Sequence, residues 1–430
     1  MPEEEERPIF RVHPGLKRLV QLKPDVIPPI TGFGELVGPN TLLVPNELAN
    51  APNRAPIGDV FDNVTIEFDL DQPGGGGAGE VENDNNWGIG PKGLDAARFW
   101  DRGFLGQGVR IGIADSGLDA AHPAFASLMA DGRLVGFAHF DEEGRKQVQQ
   151  GSDGSLLADT EATPTFSHWH GTHCAGVLVG QPTEGKARGM APAAQLAVTR
   201  VLGQANEGSV AGITAGLWWL TEQVCDVVSL SLGWPGLHEE WAAPVQALLD
   251  AGVVVVAAVG NEFQTAGVRK SRSPANYLTT PKDAAGILIV GGAHDEDGNV
   301  WNRSGGEKVD WSLVKVEQTD GSTRPSIFAA VPPRIVPTLV APGVNIISPI
   351  PKGLYFSSPG SSMATPHIAG LLALVLSGLR TRDPAARPRT AADLMLASLA
   401  DLPPIGADIR SGGGRVDLDR LLAAISAMTG

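Results

Sequence analysis

Short, predominantly apolar runs recur in the central part of the chain, and each ends at glycine or at a polar residue. The clearest are residues 109–114, 226–233 and 253–259, which are rich in aliphatic side chains and too short for typical helices. Apolar runs of this length, bounded by turn residues, are typical of strands that are buried on both faces of a sheet. We therefore expect three core strands with polar residues at their carboxyl ends.

Two other segments combine apolar residues with closely spaced small ones, as tightly packed helices do. Residues 168–176 form the first segment, and the second contains the apolar run 368–376. Because proline is tolerated only in the first turn of a helix, Pro366 predicts that the second helix begins just before it, near Ser362.

Composition is that of a globular protein with one large domain and an appendage, or with two domains. The chain has 430 residues, of which 42% are hydrophobic, and its 54 glycines fit a compact α/β protein. A formal net charge of −15 argues against nucleic acid as a partner, and we expect no segment apolar and long enough to cross a membrane. Cys174 and Cys225 are the only cysteines, too few for a disulfide framework.

Residues 1–86 form an extension rich in proline and glycine, and we place a boundary between it and residues 87–430. The acidic N-terminus lacks the basic and then apolar pattern of a secretory signal, which favours a cytoplasmic protein. Residues 64–68 predict a strand, and the glycine run at 74–79 is typical of a flexible linker.

Three residue types that support nucleophilic catalysis occur where helices begin or strands end. Ser362 lies at a helix start, where backbone N–H groups and the helix dipole favour a developing negative charge. Asp115 ends a strand, and His170 opens the other helix. A serine needs an adjacent base, and that base needs a carboxylate to fix its tautomer. Taken alone, Ser362 is more simply explained as a helix cap, so only the three residues together indicate catalysis.

Four motifs together resemble those of the subtilisin-like serine proteases, the subtilase family. They are Asp115-Ser116-Gly117, His170-Gly171-Thr172-His173, Val259-Gly260-Asn261-Glu262 and Ser361-Ser362-Met363-Ala364-Thr365-Pro366-His367. The resemblance covers about residues 87–430. It implies a three-layer α/β domain with a mainly parallel sheet, helices on both faces and the site at the carboxyl ends of the strands.

The resemblance also implies roles for single residues. Ser362 matches the nucleophile, His170 the general base and Asp115 the carboxylate that orients the base. Asn261 matches the side-chain donor of an oxyanion hole, which it would share with the backbone N–H of Ser362. Ser231, Leu232 and Gly233 match the segment that binds extended substrate. This segment would also form one wall of the pocket for the residue before the scissile bond.

Other polar residues beside these motifs have no implied catalytic role. His173 and His367 match structural positions, and His168 matches none. Ser361 stands where the family more often has threonine. Only the position within the motif identifies Ser362, rather than Ser361, as the nucleophile. A metal site of His168, His170 and His173 is the competing interpretation, but no glutamate follows at the spacing of a zinc protease helix.

We expect no required cofactor. Because many relatives bind structural calcium, the resemblance raises the question of whether this chain has a calcium site. Ala124 and Thr183 stand where many relatives have a calcium-binding aspartate and asparagine, so the usual site is expected to be absent. The acidic residues of a polar insertion are more typical of a solvated loop than of another calcium site; they are Asp153, Asp159 and Glu161.

Three functions are compatible with this interpretation. The first is endopeptidase cleavage of proteins or peptides through an acyl-enzyme. The second is a dedicated processing protease with one protein substrate, and the third is a catalytically silent binding module of the same fold. By position, residues 1–86 resemble a subtilase pro-region, a folding aid and inhibitor, with an extended arm or a partner-binding segment as the alternative.

Overall fold

The structure, a computed structural model, gives the backbone of four N-terminal strands and most of the chain from residue 86 onward. The described residues are 10–22, 35–38, 41–45, 57–68, 86–152, 155–183, 189–278, 285–317, 322–403 and 406–429. The helices are α1 (Ala97–Trp100), α2 (Ala126–Ala130), α3 (Trp169–Val179), α4 (Val210–Glu222), α5 (Ala242–Asp250), α6 (Ser361–Arg380), α7 (Pro388–Ala397) and α8 (Leu418–Thr429). Short 3-10 helices span Trp87–Ile89, Pro123–Phe125 and Glu239–Trp241.

The strands fall into an N-terminal group and a larger group interleaved with the helices. The first group is β1 (Phe10–Leu22), β2 (Glu35–Gly38), β3 (Thr41–Pro45) and β4 (Ile57–Phe68). The second begins with β5 (Arg110–Asp115), β6 (Leu134–His139), β7 (Gln195–Arg200), β8 (Glu207–Ser209), β9 (Val227–Leu230), β10 (Trp234–Pro235), β11 (Val254–Ala258), β12 (Arg272–Ser273) and β13 (Ile287–His294). It ends with β14 (Glu307–Val309), β15 (Lys315–Glu317), β16 (Thr323–Pro325), β17 (Arg334–Val336), β18 (Leu339–Pro342), β19 (Ile346–Ile350), β20 (Leu354–Ser358), β21 (Leu399–Ala400) and β22 (Arg415–Val416).

The central sheet has seven parallel strands in the order β18-β13-β11-β9-β5-β7-β6. Val227 of β9 pairs with Ile111 of β5 on one side and with Val254 of β11 on the other. The three runs that the sequence predicts as buried strands are therefore neighbours at the centre of the sheet. Their carboxyl ends share one edge, where α/β proteins place their sites.

Helices cover both faces of this sheet, which confirms the three-layer fold. Side chains alternate along β11, so that Val254 and Val256 belong to a core cluster with side chains of α3, α6, α7 and α8, whereas Val255 and Ala257 belong to a cluster with side chains of α4 and α5. Strands buried on both faces need apolar residues at successive positions, and this explains the continuous apolar runs.

The central helix α6 is buried along almost its whole length. With 20 residues and a mean hydropathy of 1.5 in its most apolar window, it is long and apolar enough to cross a membrane. The sequence expectation that no segment meets this criterion was therefore wrong. All of that window is buried inside the protein, as in the core helix of an α/β fold. The predicted helix start near Ser362 is confirmed, since α6 begins at Ser361.

The N-terminal strands form an antiparallel sheet in the order β2-β3-β1-β4-β8, and its last strand comes from the second group. Thr65 of β4 pairs with Ser209 of β8, and Glu67 pairs with Glu207. Strands β2 and β4 also lie against α4. The strand predicted at 64–68 is thus part of β4, whereas the predicted linker at 74–79 lies outside the described residues.

Candidate active site

Asp115 and His170 form a buried pair at the carboxyl edge of the central sheet. Asp115 is the last residue of β5, and His170 lies in the first turn of α3. The imidazole Nδ1 is 2.9 Å from Oδ1 and 3.0 Å from Oδ2 of the carboxylate. With Nδ1–H donating to the carboxylate, Nε2 is the nitrogen that can accept a proton.

A glycine lets helix α3 approach the end of β5 this closely. A Cβ atom on Gly171 would lie 2.3 Å from the carbonyl oxygen of Gly117 and 3.2 Å from Oδ1 of Asp115. A larger residue would push the helix away from the strand. The glycine after His170 is therefore needed for the hydrogen bond between the imidazole and the carboxylate.

The pKa of His170 lies well above the usual value for an imidazole. Burial is the largest single influence and lowers this pKa, but the charge of the Asp115 carboxylate, its hydrogen bond to the ring and a contribution from Cys174 together outweigh burial. A stabilised imidazolium favours proton uptake by His170 when a nucleophile loses its proton.

We expect kcat/KM for a peptide substrate to rise with pH, with a midpoint above 6.5. Only neutral His170 accepts a proton, and its raised pKa moves the acid limb of the profile towards alkaline pH. His168 and His173 do not obscure this limb, because burial lowers their pKa values to about 4 and about 3. Initial rates at constant ionic strength measure the profile. A midpoint below 6.5, or rates that stay flat between about pH 5 and 9, would contradict a histidine base.

Ser362 lies in the first turn of α6, where backbone N–H groups lack acceptors within the helix. Its Oγ donates a hydrogen bond to the carbonyl oxygen of Ser231 at 3.1 Å, and the Ser231 hydroxyl donates to the carbonyl oxygen of Ser362 at 2.8 Å. Pro366 has no N–H for that carbonyl, four residues before it, so Ser231 replaces the missing helical donor. The proline and Ser231 together hold the helix start at the end of β9.

The Ser362 segment and the Asp115–His170 pair meet around Cys174. The Cys174 sulfur lies 3.9 Å from Nδ1 of His170 and 3.6 Å from the carbonyl oxygen of Ser362. Nε2 of His170 is buried and has no hydrogen-bond partner among the described residues.

Asn261 follows β11 and is held against the start of α6. Its side-chain Oδ1 accepts hydrogen bonds from the backbone N–H of Ser361 at 3.0 Å and from the Ser361 hydroxyl at 2.9 Å. The N–H of Gly260 donates in turn to the Ser361 hydroxyl at 3.1 Å. With Oδ1 engaged in this way, the NH₂ group of Asn261 is left to donate to another acceptor. The sequence did not reveal this anchoring role of Ser361, because its motif position gave only an alternative nucleophile.

The predicted substrate-binding segment directly follows β9. Ser231 contacts Ser362, as described above, and Gly233 lies beside β12. The side chain of Leu232 is 2% exposed and packs in the core beneath α4 and α5. Only the backbone of Leu232 is therefore available to a ligand.

His173 and His367, the structural histidines implied by the resemblance, make hydrogen bonds that join segments of the fold. His173 donates from Nε2 to the carbonyl oxygens of Ile346 and Phe356, each at 3.1 Å. His367 donates from Nδ1 to the carbonyl oxygen of Met363, and its Nε2 accepts from the Asn86 amide at 3.0 Å. Burial lowers the pKa of His367 to about 4, so both rings are neutral.

Within the described residues, the ligand atoms of Asp115, His170 and Cys174 lie within 4.8 Å of one another, as metal ligands do. The hydrogen bonds between the carboxylate and the imidazole account for two of the three without an ion. The competing set of three histidines does not converge, because His173 faces backbone carbonyls.

The residues considered above for calcium binding are buried or make hydrogen bonds within the protein, where the structure describes them. Ala124 is buried, and the hydroxyl of Thr183 bonds to that of Tyr355. Asp159 accepts from Lys146 and from the indole of Trp219. Asp153 lies outside the described residues. The expected loss of the usual calcium site remains a prediction.

We expect organic mercurials to inhibit through Cys174, although the thiol is not a nucleophile in the proposed chemistry. Mercury on the sulfur, 3.9 Å from Nδ1 of His170, would displace the imidazole from Asp115. Cys174→Ser should remain active and become resistant, as measured by residual hydrolysis after titration with the reagent. Cys225→Ser is the matched control and should stay sensitive, because Cys225 lies under β5 beside Gly112, on the face away from α3. Equal sensitivity of Cys174→Ser and the unmodified sequence would contradict the geometry.

Comparisons with known proteins find one matching family model and several related proteases. The sequence model of the subtilase family matches residues 106–414. Subtilisin E of Bacillus subtilis is 28% identical over 284 residues, which are 66% of this chain and 59% of that protein. Subtilisin of Bacillus pumilus is 28% identical over the same share of this chain and 82% of its own length. The major intracellular serine protease of Bacillus subtilis is 29% identical over 290 residues, 67% of this chain and 74% of that protein.

Proposed function

The chain belongs to the subtilase family, and from that premise we propose that it is a serine endopeptidase that cleaves proteins or peptides through an acyl-enzyme. The observation that carries the proposal is the buried Asp115–His170 pair near the serine at the start of α6. Nε2 of His170 has no hydrogen-bond partner in the part of the chain that the structure describes. The matched segment spans 59% of subtilisin E, so similarity alone does not transfer its activity.

In the proposed reaction, Ser362 Oγ attacks the carbonyl carbon of the scissile bond while its proton moves to Nε2 of His170. Asp115 stabilises the resulting imidazolium and keeps the ring in place. The negative charge that develops on the substrate oxygen is stabilised by the NH₂ group of Asn261 and the backbone N–H of Ser362.

The tetrahedral intermediate collapses when His170 returns the proton to the leaving amine and the C–N bond breaks. Water then attacks the acyl-enzyme with His170 again as base, and the acid product leaves as Ser362 regains its proton. Substrate would lie extended along the backbone of Ser231, Leu232 and Gly233, which allows many sequences because backbone atoms make the hydrogen bonds.

A fluorophosphonate probe tests the proposal directly, since it reacts with activated serines. We expect one adduct per chain, mapped by mass spectrometry to Ser362, and loss of casein hydrolysis in proportion to labelling. A catalytically silent binding module would give neither labelling nor hydrolysis. A dedicated processing protease would be labelled but would leave casein and other unrelated proteins intact.

The proposed location is the cytoplasm. Relatives named as intracellular serine proteases, including that of Paenibacillus polymyxa at 29% identity, support it.

We further propose that the N-terminal segment inhibits the catalytic part until it is removed. Strand β8 of the catalytic part adds to β4 at the edge of the N-terminal sheet in antiparallel register, so backbone pairing joins the two parts. In this proposal the catalytic part, predicted from the sequence as residues 87–430, also includes Asn86, because the side chain of Asn86 is fully buried and bonds to His367 of α6. A cut would therefore fall between Gly74 and Asn86. Residues 74–85 lie outside the described residues.

We expect active protein to lose its N-terminal segment, whereas Ser362→Ala keeps the full chain. Intact mass and N-terminal sequencing of both proteins measure this. A separately made 1–80 fragment should then inhibit a fragment that begins at Asn86. If the segment is an integral arm, the fragment from Asn86 should instead be insoluble when made alone. An intact N-terminus on fully active enzyme would exclude the inhibitory role.

A further inference from the structure

A buried ion pair lies next to the proposed active site, beside the segments that follow β9 and β11. Arg272 of β12 and Glu262 are 6% and 0% exposed at their side chains. The guanidinium Nε lies 3.0 Å and 3.1 Å from the two carboxylate oxygens, and Nη2 also contacts the carboxylate. Glu262 in turn accepts from the backbone N–H of Asn261 at 2.9 Å.

The aliphatic stem of Arg272 occupies the space between Gly233 and Gly260. A Cβ atom on Gly233 would lie 3.0 Å from Cβ of Arg272, and one on Gly260 would lie 2.9 Å from its Cγ and 3.1 Å from its Cδ. The arginine stem therefore packs directly on the backbone of both segments.

These two glycines border the path of the substrate side chain next to the scissile bond. Gly233 ends the segment in which Ser231 bonds to Ser362, and Gly260 precedes Asn261 and donates to Ser361. A substrate carbonyl held between Ser362 and Asn261 would direct the preceding side chain into the gap between these segments. The Arg272 stem, which is in contact with both segments, lies in that gap.

We propose that Arg272 is a specificity-determining residue that closes the pocket for the residue before the scissile bond, so that alanine, glycine and serine fit and large side chains do not. The inference rests on the proposed endopeptidase function. A phenylalanine or leucine in this pocket would have to displace Arg272 from Glu262 and leave a buried carboxylate without its partner, which is strongly unfavourable. A methyl group needs no such displacement.

The test compares succinyl-Ala-Ala-Pro-Xaa p-nitroanilides with Xaa as Ala, Leu or Phe. We expect kcat/KM for Ala to exceed that for Phe at least tenfold, and peptides from casein to end mainly in small residues. Equal or better cleavage after Phe or Leu by the unmodified protein would overturn the proposal. Labelling of Ser362 by the fluorophosphonate does not depend on this pocket, so absence of both labelling and hydrolysis would instead contradict the proposed function.

Two double variants separate the volume of Arg272 from its charge. Arg272→Gly with Glu262→Gln removes the stem without leaving an unpaired charge and should raise the Phe-to-Ala ratio of kcat/KM at least tenfold. Arg272→Met with Glu262→Gln keeps a stem of similar length and should retain the preference for Ala. An unchanged ratio in the glycine variant would overturn the steric role. If that variant does not fold, the substrate profile of the unmodified protein still decides the proposal.

Discussion

Replacing Ser362 by alanine should lower kcat for peptide hydrolysis by on the order of 10⁵–10⁶-fold while the fold remains intact. The hydroxyl is the proposed nucleophile, and no other group at this position can form the acyl-enzyme. Its one observed hydrogen bond, to the carbonyl oxygen of Ser231, contributes about 1 kcal/mol to the free energy of unfolding at most. Hydrolysis of a chromogenic peptide measures the loss, and thermal unfolding verifies the fold.

Ser361→Ala is the matched control, since it removes the neighbouring hydroxyl from the same helix turn. Ser361 bonds to Gly260 and Asn261, so its loss should loosen the oxyanion donor and lower kcat only about 10- to 100-fold, less than the 10²–10³ expected when the donor itself is removed. The Ser361→Ala protein should still react with the fluorophosphonate. Full activity of Ser362→Ala together with an inactive Ser361→Ala would reverse the assignment of the nucleophile.

The central sheet could be predicted from sequence because parallel strands are buried on both faces. This burial produces continuous apolar runs in β5, β9 and β11, and their polar ends mark one edge of the sheet. The N-terminal sheet was mostly missed for the opposite reason. Its strands contain proline and charged residues, and only the end of β4 has a clear strand pattern.

The catalytic pair could be anticipated because strand ends and helix starts are local features of the sequence. The contacts that hold the site together could not, since they join residues far apart in the chain. The Ser231 hydroxyl bonds to a carbonyl 131 positions later, and Gly260 bonds to a serine 101 positions later. Arg272 ends the basic run 269–272, which is typical of an exposed surface, so the sequence predicted a solvated side chain. That prediction was wrong for Arg272, because the fold buries it against Glu262.

Replacing Asp115 by asparagine should lower kcat on the order of 10⁴-fold near neutral pH. The asparagine amide would donate to Nδ1 and so stabilise the imidazole tautomer that carries its proton on Nε2, which cannot accept a proton from Ser362. Removal of the carboxylate also removes the charge that raises the pKa of His170, so the remaining activity should have its acid limb at lower pH. Initial rates across pH measure both effects.

Asp226→Asn provides a control for the loss of a carboxylate beside the same sheet. Asp226 precedes β9 and accepts hydrogen bonds from the guanidinium of Arg380 and from the N–H of Arg110. Its replacement should lower the free energy of unfolding by on the order of 1 kcal/mol and leave kcat nearly unchanged, because these contacts are at the opposite end of the strands from Asp115. If Asp115→Asn kept kcat within tenfold while Asp226→Asn did not, the carboxylate that supports His170 would have to be sought elsewhere.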